Sequence, residues 1–364
     1  MGERDKILKV RNLEISFQTT SGTVNAIRGV DLDVYRGETV AIVGESGSGK
    51  SVTAKAIMGI LAKNGTIHQG SIEFSYYREN GEKITRKILE MEKPEIRKHI
   101  NGKRIAMVFQ DPMTTLNPLM TVGKQIMEGM IWHYHTPKEE AYQKALELMK
   151  QVGITDAEKR IRNYPHQLSG GMRQRIVIAI ALACDPDLLI CDEPTTALDV
   201  TIQSRILELI QKIQKERNLS VIYITHDLGV VAKVADFVNV MYAGRIVERG
   251  KIDEIYYDAR HPYTWGLLSA MPDMDTQDDR LYTIPGSPPN LMHEVKGDAF
   301  APRNAYALKI DTRLEPPMFR VSPTHEAATW LLHPLAPKVE MPAELRARIE
   351  RMEKEDEAYA GHKE

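Results

Sequence analysis

Cysteine is nearly absent, with two in 364 residues. Cys184 and Cys191 each lie in an apolar segment, so both read as small core residues and not as a disulfide or a metal pair. Long apolar runs are missing as well. The longest, Ile176 to Cys184, has nine residues, against the roughly 18 that a membrane span needs. The start, MGERDKILKV, mixes both charges where a secretory signal would pair a basic beginning with an apolar stretch. The chain is therefore expected to stay in the cytosol. Nor is there an excess of either charge: the formal net charge is −2, which fits poorly with extensive contact with a nucleic-acid backbone. The tail from Ala343 is highly charged but interleaves both signs, which reads as a solvated helical face.

What is there is enough chain for one large core and a smaller appendage, since single cores stop growing at roughly 250 to 300 residues. The first hundred residues carry strand patterns, as in ILKVRNLEISF and VDLDVYRGETVAIVG. From about residue 110 the period becomes helical. Thr136-Pro-Lys-Glu139 reads as a capping box, followed by Ala141, Ala145, Leu148, Met149 and Val152 on one face until Gly153. Strand and helix then alternate: DLLICD, a helix with Ile202, Ile206, Leu209, Ile210 and Ile213 inward, LSVIYITHD, and FVNVMY. That order predicts an α/β fold with a mostly parallel sheet. Beyond about residue 255 proline becomes frequent and regular patterning fades.

Gly44-Glu-Ser-Gly-Ser-Gly-Lys-Ser51 follows the apolar strand TVAIV and precedes a helical pattern, SVTAKAIMGIL. This is a P-loop: backbone N–H groups of Gly44, Glu45, Ser46, Gly47, Ser48, Gly49 and Val52 cradle phosphates, Lys50 reaches the outer ones, and the Ser51 hydroxyl ligates Mg²⁺. LLICDE ends a buried strand on Asp192, suited to hold Mg²⁺ through water, and on Glu193, suited to act as general base on a water attacking the γ-phosphate. His226, after VIYIT, is placed to steady that water.

The order of these motifs resembles the ATP-binding cassette (ABC) ATPases. It adds a Q-loop glutamine, Gln110 in MVFQDP, also a catalytic and metal-site candidate; a signature, Leu168-Ser169-Gly170-Gly171-Met172; and a D-loop ending at Asp199. The resemblance implies a RecA-like cassette over residues 1–255, with an antiparallel β subdomain and a helical subdomain over about 110–183. It also implies Mg²⁺ and ATP as cofactors and a second, homologous cassette as partner. Ser169, Gly170 and Gly171 would then serve the nucleotide held by the partner's P-loop. Phe17 falls where the family places an aromatic that stacks on adenine; a strand-core aromatic is the competing reading. Met113, Leu116 and Met120 stand where the family receives its membrane subunits, and a plain core role competes there too.

HPYTWGLLSAMP, IPGSPPNL and GDAFAPRNAY resemble the C-terminal extension, here 256–364, of dipeptide and oligopeptide importer subunits. Many relatives carry four cysteines there for an iron–sulfur cluster, and alignment puts Asp298, Asn304, Asp311 and Thr329 at those places. None offers a thiolate, so no cluster is expected. The implied machine is a pair of cassettes on the cytoplasmic face of the cell membrane, with two permeases and an external solute-binding protein. Oligosaccharides and metal complexes are alternative cargoes. A soluble ABC ATPase acting on DNA or ribosomes is the rival from another class, disfavoured by the lack of sustained heptads between P-loop and signature.

Overall fold

A computed structural model describes residues 4–195, 200–271 and 283–361. Strands β1 (Lys6–Thr19) and β2 (Gly22–Tyr35) form a long antiparallel pair, and β3 (Thr39–Val43) leaves them for a second sheet. Strands β4 (Gly65–Tyr77) and β5 (Lys83–Lys87) return to complete the first sheet in the order β2-β1-β4-β5. The second sheet takes in β6 (Ile105–Val108), β7 (Leu188–Asp192), β8 (Ser220–Thr225), β9 (Phe237–Tyr242), β10 (Arg245–Lys251), β11 (Phe319–Arg320) and β12 (Glu326–Ala327). Its order is β11-β12-β10-β9-β3-β8-β7-β6.

The strands β6, β7, β8, β3 and β9 run parallel, with Val40 opposite Ile222 on one side and Phe237 on the other. Residues along β3, β6, β7 and β8 are buried throughout. Continuous apolar runs such as TVAIV and LLIC are what a sheet covered on both faces requires. One face packs under the helical block with Val221, Tyr223, Leu189 and Cys191; the other meets the antiparallel sheet with Val40, Ile42, Ile190 and Ile222. Both cysteines are free and buried.

The helical block comprises Val122–Tyr134, Lys138–Gln151 and Gly170–Leu182, joined in one core through Ile126, Met130, Ala145, Met149 and Ile178. Among the described residues, the longest helix between P-loop and signature is Lys138–Gln151, of 14 residues. The expected capping box at Thr136–Glu139 does not form. Pro137 takes the N-cap position with no side-chain cap, and the helix starts at Lys138. The reason lies in the preceding helix: His135 turns left-handed at φ 54°, and the Thr136 amide is spent on Met130 O. Leu116 is buried in this core, whereas neighbouring Leu119 is 85% exposed. The Met113 side chain lies outside the described set, and Met120 is half-buried.

The extension docks on its own cassette. Glu326 and Ala327 pair with Arg249 and Glu248, continuing the second sheet. A third core joins Tyr263, Trp265, Leu268 and Phe300 of the extension to Ala41, Val43, Val238 and Val240. His325 Nε2 meets Glu248 Oε1 at 2.9 Å with both side chains fully buried. The charged tail is helical over Ala343–Gly361, but it is not solvated all round. Leu345 and Ile349, one turn apart, are buried in the third core, and Arg348 Nη1 donates to Leu268 O and Met271 O at 3.2 and 2.8 Å. Spacing of four puts such a pair on one face, which the surrounding charges masked.

Candidate active site

The site gathers at the carboxyl ends of neighbouring parallel strands, where α/β sheets hold their ligands. After β3 the chain wraps through Gly44–Gly49 into the helix Lys50–Ile57. Gly49 caps that helix at φ 108°, where a Cβ would stand 2.7 Å from Ile27 Cδ1 and 2.9 Å from Ala26 O. At Gly44 a Cβ would meet Met241 O at 2.0 Å. Glycine is therefore dictated by packing beneath the loop, and its free side faces the cleft: at Gly47 a Cβ would meet nothing within 4 Å.

Lys50 lies folded against the loop, its Nζ donating to Gly44 O at 2.7 Å and Glu45 O at 2.9 Å. Burial lowers its pKa, while Glu193, Asp192 and Glu45 hold its charge in place. The Ser48 hydroxyl oxygen is buried with no partner within the protein. A buried ammonium, an orphaned hydroxyl and a helix N-terminus around open glycines fit a phosphate chain.

Ser51 Oγ donates to Asp192 Oδ1 at 2.8 Å. Burial raises the Asp192 carboxyl, the Ser51 hydrogen bond opposes that, and the adjacent Glu193 charge adds to it. Two hard oxygens side by side beside a phosphate cradle fit a Mg²⁺ ion, which binds through one or two protein oxygens and the substrate phosphates.

Gln110 follows β6, Glu193 follows β7 and His226 follows β8, so three adjacent strands deliver them together. Gln110 Nε2 donates to Glu193 Oε2 at 3.0 Å, and His226 Nδ1 lies 3.4 Å from Glu193 Oε1. Glu193 sits at φ 46°, in the left-handed region that costs a non-glycine residue energy and clusters at functional sites. A cleft of about 820 Å³ is lined by all three and by Glu45, Ser46, Gly47, Gly49, Lys50, Ser51 and Val52.

The remaining candidates lie apart. Phe17 is half-buried over Gly65, where a Cβ would meet its ring at 2.7 Å, and it does not line the cleft. Ser169 caps the helix Gly170–Leu182, accepting from the Met172 amide at 3.4 Å, and both Ser169 and Gly170 are exposed. Gly171 is buried against Ile202. None of the three reaches this chain's own cleft. Asp199 lies outside the described residues.

Several cleft residues come from the extension and carry no motif of their own: Leu267, Ala270, Ile284, Pro288 and Arg303. Their signal was present in HPYTWGLLSAMP and APRNAY, but no local chemistry linked those stretches to a P-loop more than 200 residues away. At the four positions aligned with cluster cysteines, side chains cap local turns. Asp298 Oδ1 accepts from Phe300 N, Asn304 Oδ1 from Tyr306 N, Asp311 Oδ2 from Leu308 N and Thr329 Oγ1 from Leu331 N. These oxygen donors do not fit an iron–sulfur cluster. Among the described residues no helix is long and apolar enough to cross a membrane.

Comparison with known proteins agrees with the geometry. A family described as "ABC transporter" matches residues 27–196, and one described as "Oligopeptide/dipeptide transporter, C-terminal region" matches 247–310. The chain is 55% identical over 350 residues to the dipeptide transport ATP-binding protein DppD of Lactococcus lactis subsp. cremoris (strain MG1363), covering 96% of this chain and 97% of that protein. It is 54% identical to the oligopeptide transport ATP-binding protein OppD of Bacillus subtilis (strain 168), covering 95% of each. Among solved structures, the dimeric post-hydrolysis state of the ATP-binding cassette MJ0796 bound to ADP and Pi aligns with a TM-score of 0.58 at 28% identity, over 67% of this chain and 98% of that one. The chain therefore belongs to the ATP-binding subunits of ABC transporters, in the dipeptide and oligopeptide transport branch, and is an ATPase cassette.

Proposed function

We propose that this subunit hydrolyses ATP to energise an importer of dipeptides or oligopeptides. The convergence of Gln110, Glu193 and His226 opposite Lys50 and Ser51 carries the hydrolytic half of that reading. Bound Mg²⁺, held by Ser51 and through water by Asp192, would neutralise charge on the phosphoryl oxygens. Lys50 exchanges its two carbonyl partners for the outer phosphates. Glu193 takes the proton of the attacking water, while Gln110 and His226 fix the orientation of its carboxylate from either side.

Ser169, Gly170 and Gly171 are surplus to the cleft of their own chain, yet Ser169 and Gly170 open a capped helix N-terminus to solvent, suited to a phosphate. They serve the nucleotide on a facing, homologous cassette. Two ATP molecules thus hold the pair closed, and loss of a γ-phosphate removes the acceptor between subunits and lets it open. The pair rests on the cytoplasmic face of the membrane and drives two permeases that receive cargo from an external binding protein. The peptide assignment is supported by the near full-length likeness to DppD and OppD. Removing this subunit should abolish uptake of a labelled oligopeptide, with recovery on return of the wild-type chain but not of Glu193→Gln. Unchanged peptide uptake alongside lost uptake of an oligosaccharide or a metal complex would reassign the cargo.

A further inference from the structure

The second residue of the P-loop is gripped from the far end of the chain. Arg303, its side chain 4% exposed, donates Nη1 to Glu45 Oε2 at 2.7 Å and Nη2 to Glu45 Oε1 at 3.0 Å. This two-pronged bond is the strong form of an arginine–carboxylate pair. The guanidinium is itself fixed: Nε donates to Pro285 O at 2.8 Å and Nη1 to the Tyr242 hydroxyl at 3.3 Å. Its central carbon lies 5.7 Å from the Tyr242 ring and 5.9 Å from that of Phe300. The buried Tyr263 hydroxyl accepts from the Glu45 amide at 2.8 Å, so the extension holds both the backbone and the side chain of this residue.

Glu45 is a carboxylate on a loop built to receive a polyanion. Left unpaired in the cleft, its charge would oppose the phosphates that Lys50 attracts. A structural tie alone would have no need to end on the phosphate loop, and Arg303 itself lines the same cleft. We propose that Arg303 is a positioning residue of the nucleotide site: it neutralises Glu45 and draws its carboxylate away from the phosphate cradle, so that the C-terminal extension completes the site in the same chain. The inference rests on the cleft being the ATP site.

Mg-ATP affinity of the purified full-length chain tests it, with melting temperature followed in parallel. Arg303→Ala should raise the Kd about tenfold, an electrostatic loss, and the deficit should shrink as salt is added. Adding Glu45→Gln to Arg303→Ala should bring the Kd back to within about threefold of wild type, because the repelling charge is gone. Arg303→Lys, which keeps the charge, should stay near wild type. If Arg303→Ala fails to fold, Arg303→Gln takes its place with the same expectations. An unchanged Kd in the single variant, or a deficit that Glu45→Gln does not relieve, would overturn the proposal and leave Arg303 a plain structural tie. A wild-type chain that does not bind Mg-ATP would instead overturn the reading of the cleft.

Discussion

Ser51 and Asp192, 141 residues apart in sequence, share a hydrogen bond of 2.8 Å at the mouth of the P-loop. The contact places a hydroxyl from the start of one helix against a carboxylate from the end of β7, and the charge of that carboxylate also acts on Lys50. Nothing in either segment would hold the pair together without the sheet, whose β3 and β7 are each bonded to β8.

Asp192→Asn should therefore lower ATP turnover by about a hundredfold or more, since it removes the charge that holds the metal through water. Affinity for ATP measured without Mg²⁺ should hold, because the phosphate cradle is untouched. Binding titrations with and without the metal separate the two effects. A variant whose Mg²⁺-dependent gain in affinity persists would take Asp192 out of the metal site.

Glu193→Gln should leave Mg-ATP binding intact and reduce turnover by about 10²- to 10⁴-fold, the range for loss of a general base. With hydrolysis blocked, the nucleotide-bound pair of cassettes should accumulate and shift to larger size on gel filtration in Mg-ATP. Normal turnover would place the base elsewhere. The neighbouring hydrogen bond from Gln110 can be kept by a glutamine at this position, so the change is chemical more than structural.

Most of this site could be read from the chain because it is built from short local motifs. The P-loop, LLICDE and the histidine after VIYIT each end a strand, and parallel strands align such ends by construction. What stayed hidden depends on packing between distant segments. Arg303 reaches Glu45 across 258 residues, through a stretch whose proline-rich sequence has no periodicity to announce where it docks. Leu116 looked like a candidate for a docking groove because an apolar residue near a surface loop has the same sequence appearance as one in a core; its burial among the helices decides for the core. The capping box at Thr136 fails for a related reason. Its cap chemistry was right, but its amide was already claimed by the end of the helix before it.

Ser169→Arg should leave nucleotide binding by the isolated chain unchanged, as Ser169 does not line that chain's cleft. The helix loses a single cap, worth about 1 kcal/mol, so the fold should survive. ATP-driven pairing and turnover should fall together, because a long cation then occupies the exposed helix start that a partner's nucleotide would meet. Sedimentation in Mg-ATP reads the first and phosphate release the second. Lost nucleotide affinity in the isolated chain would contradict a site shared between subunits.

The extension should carry a pH signature of its own at Asp298. Burial raises this carboxyl to about 6 from its ordinary 3.8, helped by Asp311 and Glu315 and opposed by the Phe300 amide and Arg245. A folded state that holds the proton more tightly than the unfolded chain gains from it at low pH. The contribution is thus fully present below about 3.8 and is lost as pH rises through about 6. At pH 8 the buried carboxylate is a net cost, on the order of 2 to 3 kcal/mol. Asp298→Asn keeps an oxygen to accept from the Phe300 amide and cannot ionise. It should therefore raise the melting temperature at pH 8, with the gain fading towards pH 4. Melting curves of the two proteins across that range provide the measurement. A gain of equal size at both ends would show that the charge of Asp298 is not its source.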